Sequence, residues 1–423
     1  MQEYRKIFAI GMMSFSSGSV FFFLVSTVGI WLKSYGFCNS VLGVSTILTI
    51  PYAMKIFLSV MMNKFANPIK KLKLHVNEEI SIFQIYKYWA IFSQVLIVIL
   101  LLLLMVVDPS KDIILTLLVT FLLSCCAVFQ DISIENYRVR VTSKNIFRLS
   151  ISMSYFAFRF GMMASGAFAL FIVDFFNWIC AFVFMIFTII VGICGIILLK
   201  EDEDCVKSDK IIYSSIRDTL RNFFNEKSYS VLRFMFIFKF CDSALHGMSN
   251  PFFIDLGYSN IEIASIVKVW WMVFAGFGVM LFNFLIKKTS IQKMLVLGSI
   301  GESISSLLFY IHSFVGKNCF LMFIIASIDS FVSALCTTAM MAYRTFVIKS
   351  DYIGSDSFMN IGMMGSFSSI SRIFVVSGVL FFSDIFAWKY ILCVISLISI
   401  MCVYVISKDA HISKISNMYT GHF

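Results

Sequence analysis

Apolar runs of about twenty residues, the length that crosses a hydrocarbon core as an α-helix, recur about twelve times along the chain between short polar stretches. They fall near 7–32, 41–62, 86–107, 113–135, 148–173, 177–199, 231–254, 262–286, 292–314, 318–343, 357–383 and 386–406. A membrane β-barrel would instead alternate apolar and polar residues over strands of about ten residues. The pattern predicts an all-α integral membrane protein. The first run follows Arg5 and Lys6, as a leader would, but it continues to Leu32 without a clear small-residue cleavage site. It reads as an uncleaved first helix.

The polar segments divide these spans into two sets. The longest, 200–230, opens with Glu201-Asp202-Glu203-Asp204 and reads as a solvated central loop. It separates a six-helix bundle at 1–199 from a second at 231–406, with a tail at 407–423. Loop lysines and arginines crowd one side, and the other side receives only Lys33, Lys111, Lys317 and Lys389. By the positive-inside rule the crowded side is cytoplasmic, so both termini, the central loop and the tail are expected there. Span two ends in Met61-Met62-Asn63-Lys64-Phe65 followed by Lys70-Lys71-Leu72-Lys73; span eight ends in Phe284-Leu285-Ile286-Lys287-Lys288 followed by Lys293. Basic loops at matching places in two six-helix halves predict the major facilitator architecture, whose halves rock about a midplane site.

Composition narrows the function classes. Residues are 59% hydrophobic and only 14% charged, with a mean hydropathy of +0.89, whereas soluble domains carry about 25% charged residues. The net charge of +10 is accounted for by the basic loops, which excludes a nucleic-acid partner and leaves the lipid bilayer. The 11 cysteines are scattered, with Cys125 and Cys126 adjacent and no CxxC or Cys/His spacing, and the five histidines form no cluster. Neither a metal nor a cofactor is expected. With no nucleophile–base set in view, the chain is not expected to be an enzyme. A monomer is expected.

Ionisable residues inside apolar spans carry the chemistry. Each costs about 2.5–3.5 kcal/mol on insertion scales, so they face a polar pathway or one another. The first half holds Lys55, Asp131, Glu135 and Arg159; the second holds Lys239, Asp242, Lys268, Glu302, Asp329 and Arg372. Asp131 and Glu135 are four apart, on one face of a helix, and are the candidates for proton coupling. Glu135, nearer the basic turn, reads alternatively as a gate or helix-end charge. Lys55, Gln130, Arg159, Lys239, Asp242, Lys268, Asp329 and Arg372 are the candidate substrate-binding or central-cavity residues, the cations suiting an anionic substrate. The competing reading is closed ion pairs that hold helices together, Asp131 with Arg159 and Lys239 with Asp242. Trp31, Tyr155, Trp270 and Trp271 suit either sugar stacking or plain packing and interfacial anchoring. Gly161, Ser165 and Gly166 form a small-residue pattern that permits close helix approach.

At these positions the chain resembles the AmpG family of muropeptide permeases, within the major facilitator superfamily. The family's Q-D-I-x-x-D-x-W pattern is matched by Gln130-Asp131-Ile132-Ser133-Ile134-Glu135-Asn136-Tyr137, and its Y-R-x-G-M-x-x-S-G by Phe158-Arg159-Phe160-Gly161-Met162-Met163-Ala164-Ser165-Gly166. Span two resembles F-K-F-L-W-S-P-L-x-D-R in Met54-Lys55-Ile56-Phe57-Leu58-Ser59-Val60-Met61-Met62-Asn63-Lys64. Span seven carries Phe238-Lys239-Phe240-Cys241-Asp242 for Y-K-x-x-D, and span eleven Ser371-Arg372 for G-R. The resemblance implies proton-driven import, across the bacterial inner membrane, of N-acetylglucosaminyl-anhydro-N-acetylmuramyl peptides for cell-wall recycling. Such an anionic glycopeptide agrees with the in-span cations. The chain departs from the family at Asn63, Glu135, Tyr137 and Arg344, and Ile328 takes an acidic position, with Asp329 about 100° away on the helix. Transport of another anionic metabolite, such as an acyl-coenzyme A or a nucleotide, stays open, as does a non-transporting membrane sensor.

Overall fold

Each expected apolar span meets a helix in the computed structural model, which describes residues 2–37, 48–62, 82–141, 146–198, 226–259, 262–263, 266, 270–349, 357–383 and 385–409. No strand occurs among the described residues. Helix α1 covers 2–34, and residues 50–62 form α2; then follow α3 (Ile82–Val106), α4 (Ile113–Val141), α5 (Phe147–Phe175) and α6 (Trp178–Ile197). The second set is α7 (Glu226–Asp255), α8 (Trp270–Leu285), α9 (Ile291–Val315), α10 (Cys319–Lys349), α11 (Ser357–Ser383) and α12 (Trp388–Lys408). Among the described residues, nine helices are long and apolar enough to cross a bilayer, and α8 is a shorter apolar helix. Only closed backbone hydrogen bonding survives in hydrocarbon, which is why uninterrupted apolar runs become helices here.

Two helices outrun their apolar windows. α4 continues past Glu135 to Val141 and α10 continues to Lys349. Charge ends an apolar run without ending a helix, since Arg and Lys are good helix formers and sit well at a C-terminus, against the negative end of the dipole. Glu135 therefore lies inside a helix and not at its end.

The chain clusters into two units, Met1–Leu220 with Gly354–Ser366, and Arg221–Ile353 with Phe367–Phe423. Within the first, α1 packs on α5, α6 and α4, while α3 packs on α4 and α6. Within the second, α9 packs on α10, α12 and α7, and α8 on α10. The pairs α3–α4, α3–α6 and α1–α6 thus recur as α9–α10, α9–α12 and α7–α12, the mark of one supersecondary plan used twice.

The tightest crossing is α1 on α5. A methyl group on Gly18 would collide with the carbonyl oxygen of Phe158, and one on Gly161 with that of Phe15. Glycines on both helices thereby let backbone meet backbone, as small residues do in membranes. Hydroxyls add to this seam: Ser14 and Ser154 share a 2.8 Å hydrogen bond, and Ser19 bonds Thr188 of α6 at 2.8 Å. Both α1 and α5 contain a π turn, Phe23–Thr27 and Ala164–Phe168. α2 breaks at Met54, after Pro51, and the amide of Ile56 donates to Ser366 Oγ at 2.8 Å.

Candidate functional site

In the first unit the charged centre is built by α1, α2 and α4. Lys55 of α2 forms an ion pair with Asp131 of α4, and Ser17 of α1 donates to the other carboxylate oxygen at 3.1 Å. The ammonium also lies 5.4 Å from the ring centroid of Tyr52, one helical turn away. Asp131 is 23% exposed at its side chain and Lys55 only 9%. The partner of Asp131 is Lys55 and not Arg159, because α2 and α1 supply the groups across from this face of α4. Glu135, one turn on, is half-buried on the same face, whereas 132–134 and 136–139 are buried. Arg159 stands half-buried on α5 with its guanidinium 5.3 Å from the Tyr155 ring centroid.

Gln130 points elsewhere. It is fully buried and donates to Ser16 Oγ at 3.0 Å, in a polar seam between α4 and α1. In this conformation it joins helices and does not line an opening.

The second unit repeats the theme on one helix. Lys239 and Asp242 of α7, three residues apart, form an ion pair, and Ser333 of α10 donates to the other carboxylate oxygen of Asp242 at 2.9 Å. Asp329, one turn before Ser333, accepts from Ser305 of α9 at 2.9 Å. Arg372 is half-buried on α11, directly after the buried Ser371 that bonds the Phe236 carbonyl at 3.2 Å. Lys268 lies outside the described residues. The hydroxyls of Ser16, Ser17, Ser305 and Ser333 complete these centres. Sequence reasoning passed over them because a serine in an apolar helix ordinarily bonds its own backbone.

The aromatic candidates divide. Trp31 is buried against Phe182 and Trp178, in edge and tilted contacts, and Tyr155 is buried beside Phe156. Both serve packing. Trp270 is exposed at the start of α8, edge-on to Phe323.

A cavity of about 560 Å³ opens in the second unit, lined by Phe236, Phe240, Phe374, Val379, Phe382 and Ile395 among others. Its walls are apolar and none of the candidate charged residues borders it. A cavity without convergent polar groups fits an acyl chain better than an anionic solute.

No family model matches the chain. It is 26% identical over 387 residues to a Rickettsia typhi protein named "Putative transporter AmpG 3", covering 88% of this chain and 89% of that one. It is 24% identical over 419 residues to "Putative transporter AmpG 1" of Rickettsia bellii, covering 96% and 98%. Among solved structures it superposes on a major facilitator superfamily transporter, FucP, in the outward conformation, with a TM-score of 0.70 at 14% identity over 98% of this chain and all of that one. An outward-facing bacterial homologue of the iron transporter ferroportin gives 0.69 at 10% identity, covering 99% and 100%. At such identities the structures speak to the fold alone, and that fold is the two-bundle arrangement of these transporters.

Proposed function

Because the chain is an AmpG-like secondary transporter of the major facilitator superfamily, and not an enzyme, we propose that it imports anhydro-muropeptides across the bacterial inner membrane, driven by protons. The observation that carries this reading is the Lys55–Asp131 ion pair, set within apolar helices and closed by Ser17. An anionic cargo competes with Asp131 for the Lys55 ammonium. The displaced carboxylate then stands in a low-dielectric site without its counter-charge, and it takes a proton. Anion binding and proton binding are thereby linked, and both are released together once the bundles have rocked. Arg159 of the same unit adds positive charge for the cargo's carboxylates. Basic loops orient both termini to the cytoplasm, and the unit of transport is a monomer.

The test is uptake of labelled anhydro-muropeptide into proteoliposomes. Uptake that needs an imposed proton gradient, and that Lys55→Ala abolishes, is the expected result. Uptake indifferent to the gradient would remove the coupling. Absence of uptake, with competition instead by acyl-coenzyme A or a nucleotide, would remove the cargo.

A further inference from the structure

One buried acid of the second unit is not used by that mechanism. Glu302 of α9 is 4% exposed, and its Oε1 is buried with no hydrogen-bond partner. Its electrostatic neighbours are Asp242 and Lys239 of α7, and Asp329 and the Cys336 thiol of α10. α9 packs on both α7 and α10, and the three helices thus gather three carboxylates. Among the described residues the base that neighbours Glu302, Lys239, forms an ion pair with Asp242. Ser333 and Ser305 donate to Asp242 and Asp329, respectively. α12, also packed on α9, carries no carboxylate, lysine, arginine or histidine between Lys389 and Lys408, and α8, packed on α10, carries none at all.

Ionised, Glu302 would face two like charges from inside a low-dielectric wall, with one oxygen unsolvated. Each of these is costly, and together they call for a positive charge on that carboxylate. Among the described residues no three His, Cys, Asp or Glu side chains are spaced to hold a metal ion, whereas a proton needs only one oxygen. We propose that Glu302 is a second proton-binding site, in the second unit, with Asp242 and Asp329 setting its occupancy. Lys239, 28% exposed at its side chain, is the member of the cluster that meets the accessible surface. The proton arrives from water on that side, adds to Glu302 Oε1, and leaves by the same path. The part this site plays in coupling rests on the transport reading above; its occupancy does not.

Infrared difference spectra of the purified full chain in lipid vesicles test it, at neutral pH, with and without sodium. The expected result is the carbonyl stretch of a protonated carboxylic acid, sensitive to D2O, lost in Glu302→Gln and retained in Asp131→Asn. A shifted band in Glu302→Asp shows that the site stays folded when the group is altered. No such band in the wild type, a band unchanged in Glu302→Gln, or one that appears only when sodium is withdrawn overturns the proposal. In proteoliposomes, gradient-driven muropeptide uptake by Glu302→Gln is expected to fall about tenfold while counterflow exchange persists. A wild type that moves no muropeptide defeats the cargo and leaves the infrared result to decide the site.

Discussion

The hydroxyl of Thr27 donates a 2.7 Å hydrogen bond to the carbonyl of Ser165, joining the π turn of α1 to the π turn of α5. A π turn shifts the backbone register and frees carbonyls that an α-helix would use. Here a carbonyl of one π turn is met from the neighbouring helix. Thr27 and Ser165 are both buried, so no water substitutes when the donor is lost. Thr27→Val, which keeps the shape, is expected to lower stability by about 1 kcal/mol, read as a fall in the denaturant midpoint in mixed micelles. An unchanged midpoint would show that the bond contributes nothing.

The pair Lys55 and Asp131 separates stability from transport. Removing one partner leaves a charge in a site with little access to water, at a cost of about 3–5 kcal/mol for a fully buried pair and less for this partly exposed one. Removing both leaves none. Lys55→Met and Asp131→Asn are each expected to destabilise more than the double variant, with a coupling of at least about 1 kcal/mol, while all three lose proton-driven uptake. Additive losses of stability would mean that the two side chains do not sense each other.

Much of this was legible beforehand, and for a physical reason: in hydrocarbon the backbone has almost no choice but helix, so apolar length alone predicts every span met here. The shared face of Asp131 and Glu135, and the Lys239–Asp242 pair, follow from helical spacing. Adjacency between helices does not. That Lys55 and not Arg159 meets Asp131 depends on how α2 and α5 lie against α4. Nothing local encodes this, and the same ignorance left Gln130 among the cavity candidates when it faces Ser16 of α1. The π turns were invisible because Phe23–Thr27 and Ala164–Phe168 have ordinary helical composition. Glu302 was visible as a charge in a span, but its meaning comes from acids on two other helices.

Glycine positions predict opposite outcomes at the α1–α5 crossing and at Gly378 of α11. Gly18→Ala or Gly161→Ala places a methyl group on a carbonyl oxygen of the facing helix. Backbone on both sides leaves nothing to rotate away, so α1 and α5 must part, at a cost of about 1–3 kcal/mol or more. Gly378 of α11 has nothing within 4 Å of its would-be Cβ, and there Gly378→Ala gains helix propensity of up to about 1 kcal/mol. Size-exclusion profiles and unfolding midpoints of the three variants are expected to fall, fall and hold or rise.

Orientation is open to a direct check. Cys319 is exposed at the start of α10, beside Lys317 in one of the few loops poor in basic residues. A variant retaining Cys319 as its single cysteine is expected to react with a membrane-impermeant maleimide in intact spheroplasts. Reaction only after permeabilisation would invert the topology and, with it, the direction proposed for transport.

Next to that loop, Tyr258 holds His312 in a buried aromatic cluster. The Tyr258 oxygen accepts the backbone N–H of Asn318 and shares a 3.0 Å hydrogen bond with Nε2 of His312. Burial pushes the Tyr258 phenol above its usual range, partly offset by the Asn318 amide, which keeps it a neutral phenol at physiological pH. Phe252 and Phe253 pack edge-on and tilted against the His312 ring, so Nε2 has no route to water. Tyr258→Phe leaves that nitrogen buried and unmatched, at about 1–3 kcal/mol. Replacing both partners removes the donor and the acceptor together, and an apolar pair of similar shape suits these surroundings. Tyr258→Phe with His312→Phe is therefore expected to be more stable than Tyr258→Phe alone, although it carries one more substitution. A double variant weaker than the single one would mean that His312 contributes through its ring nitrogens to something other than Tyr258.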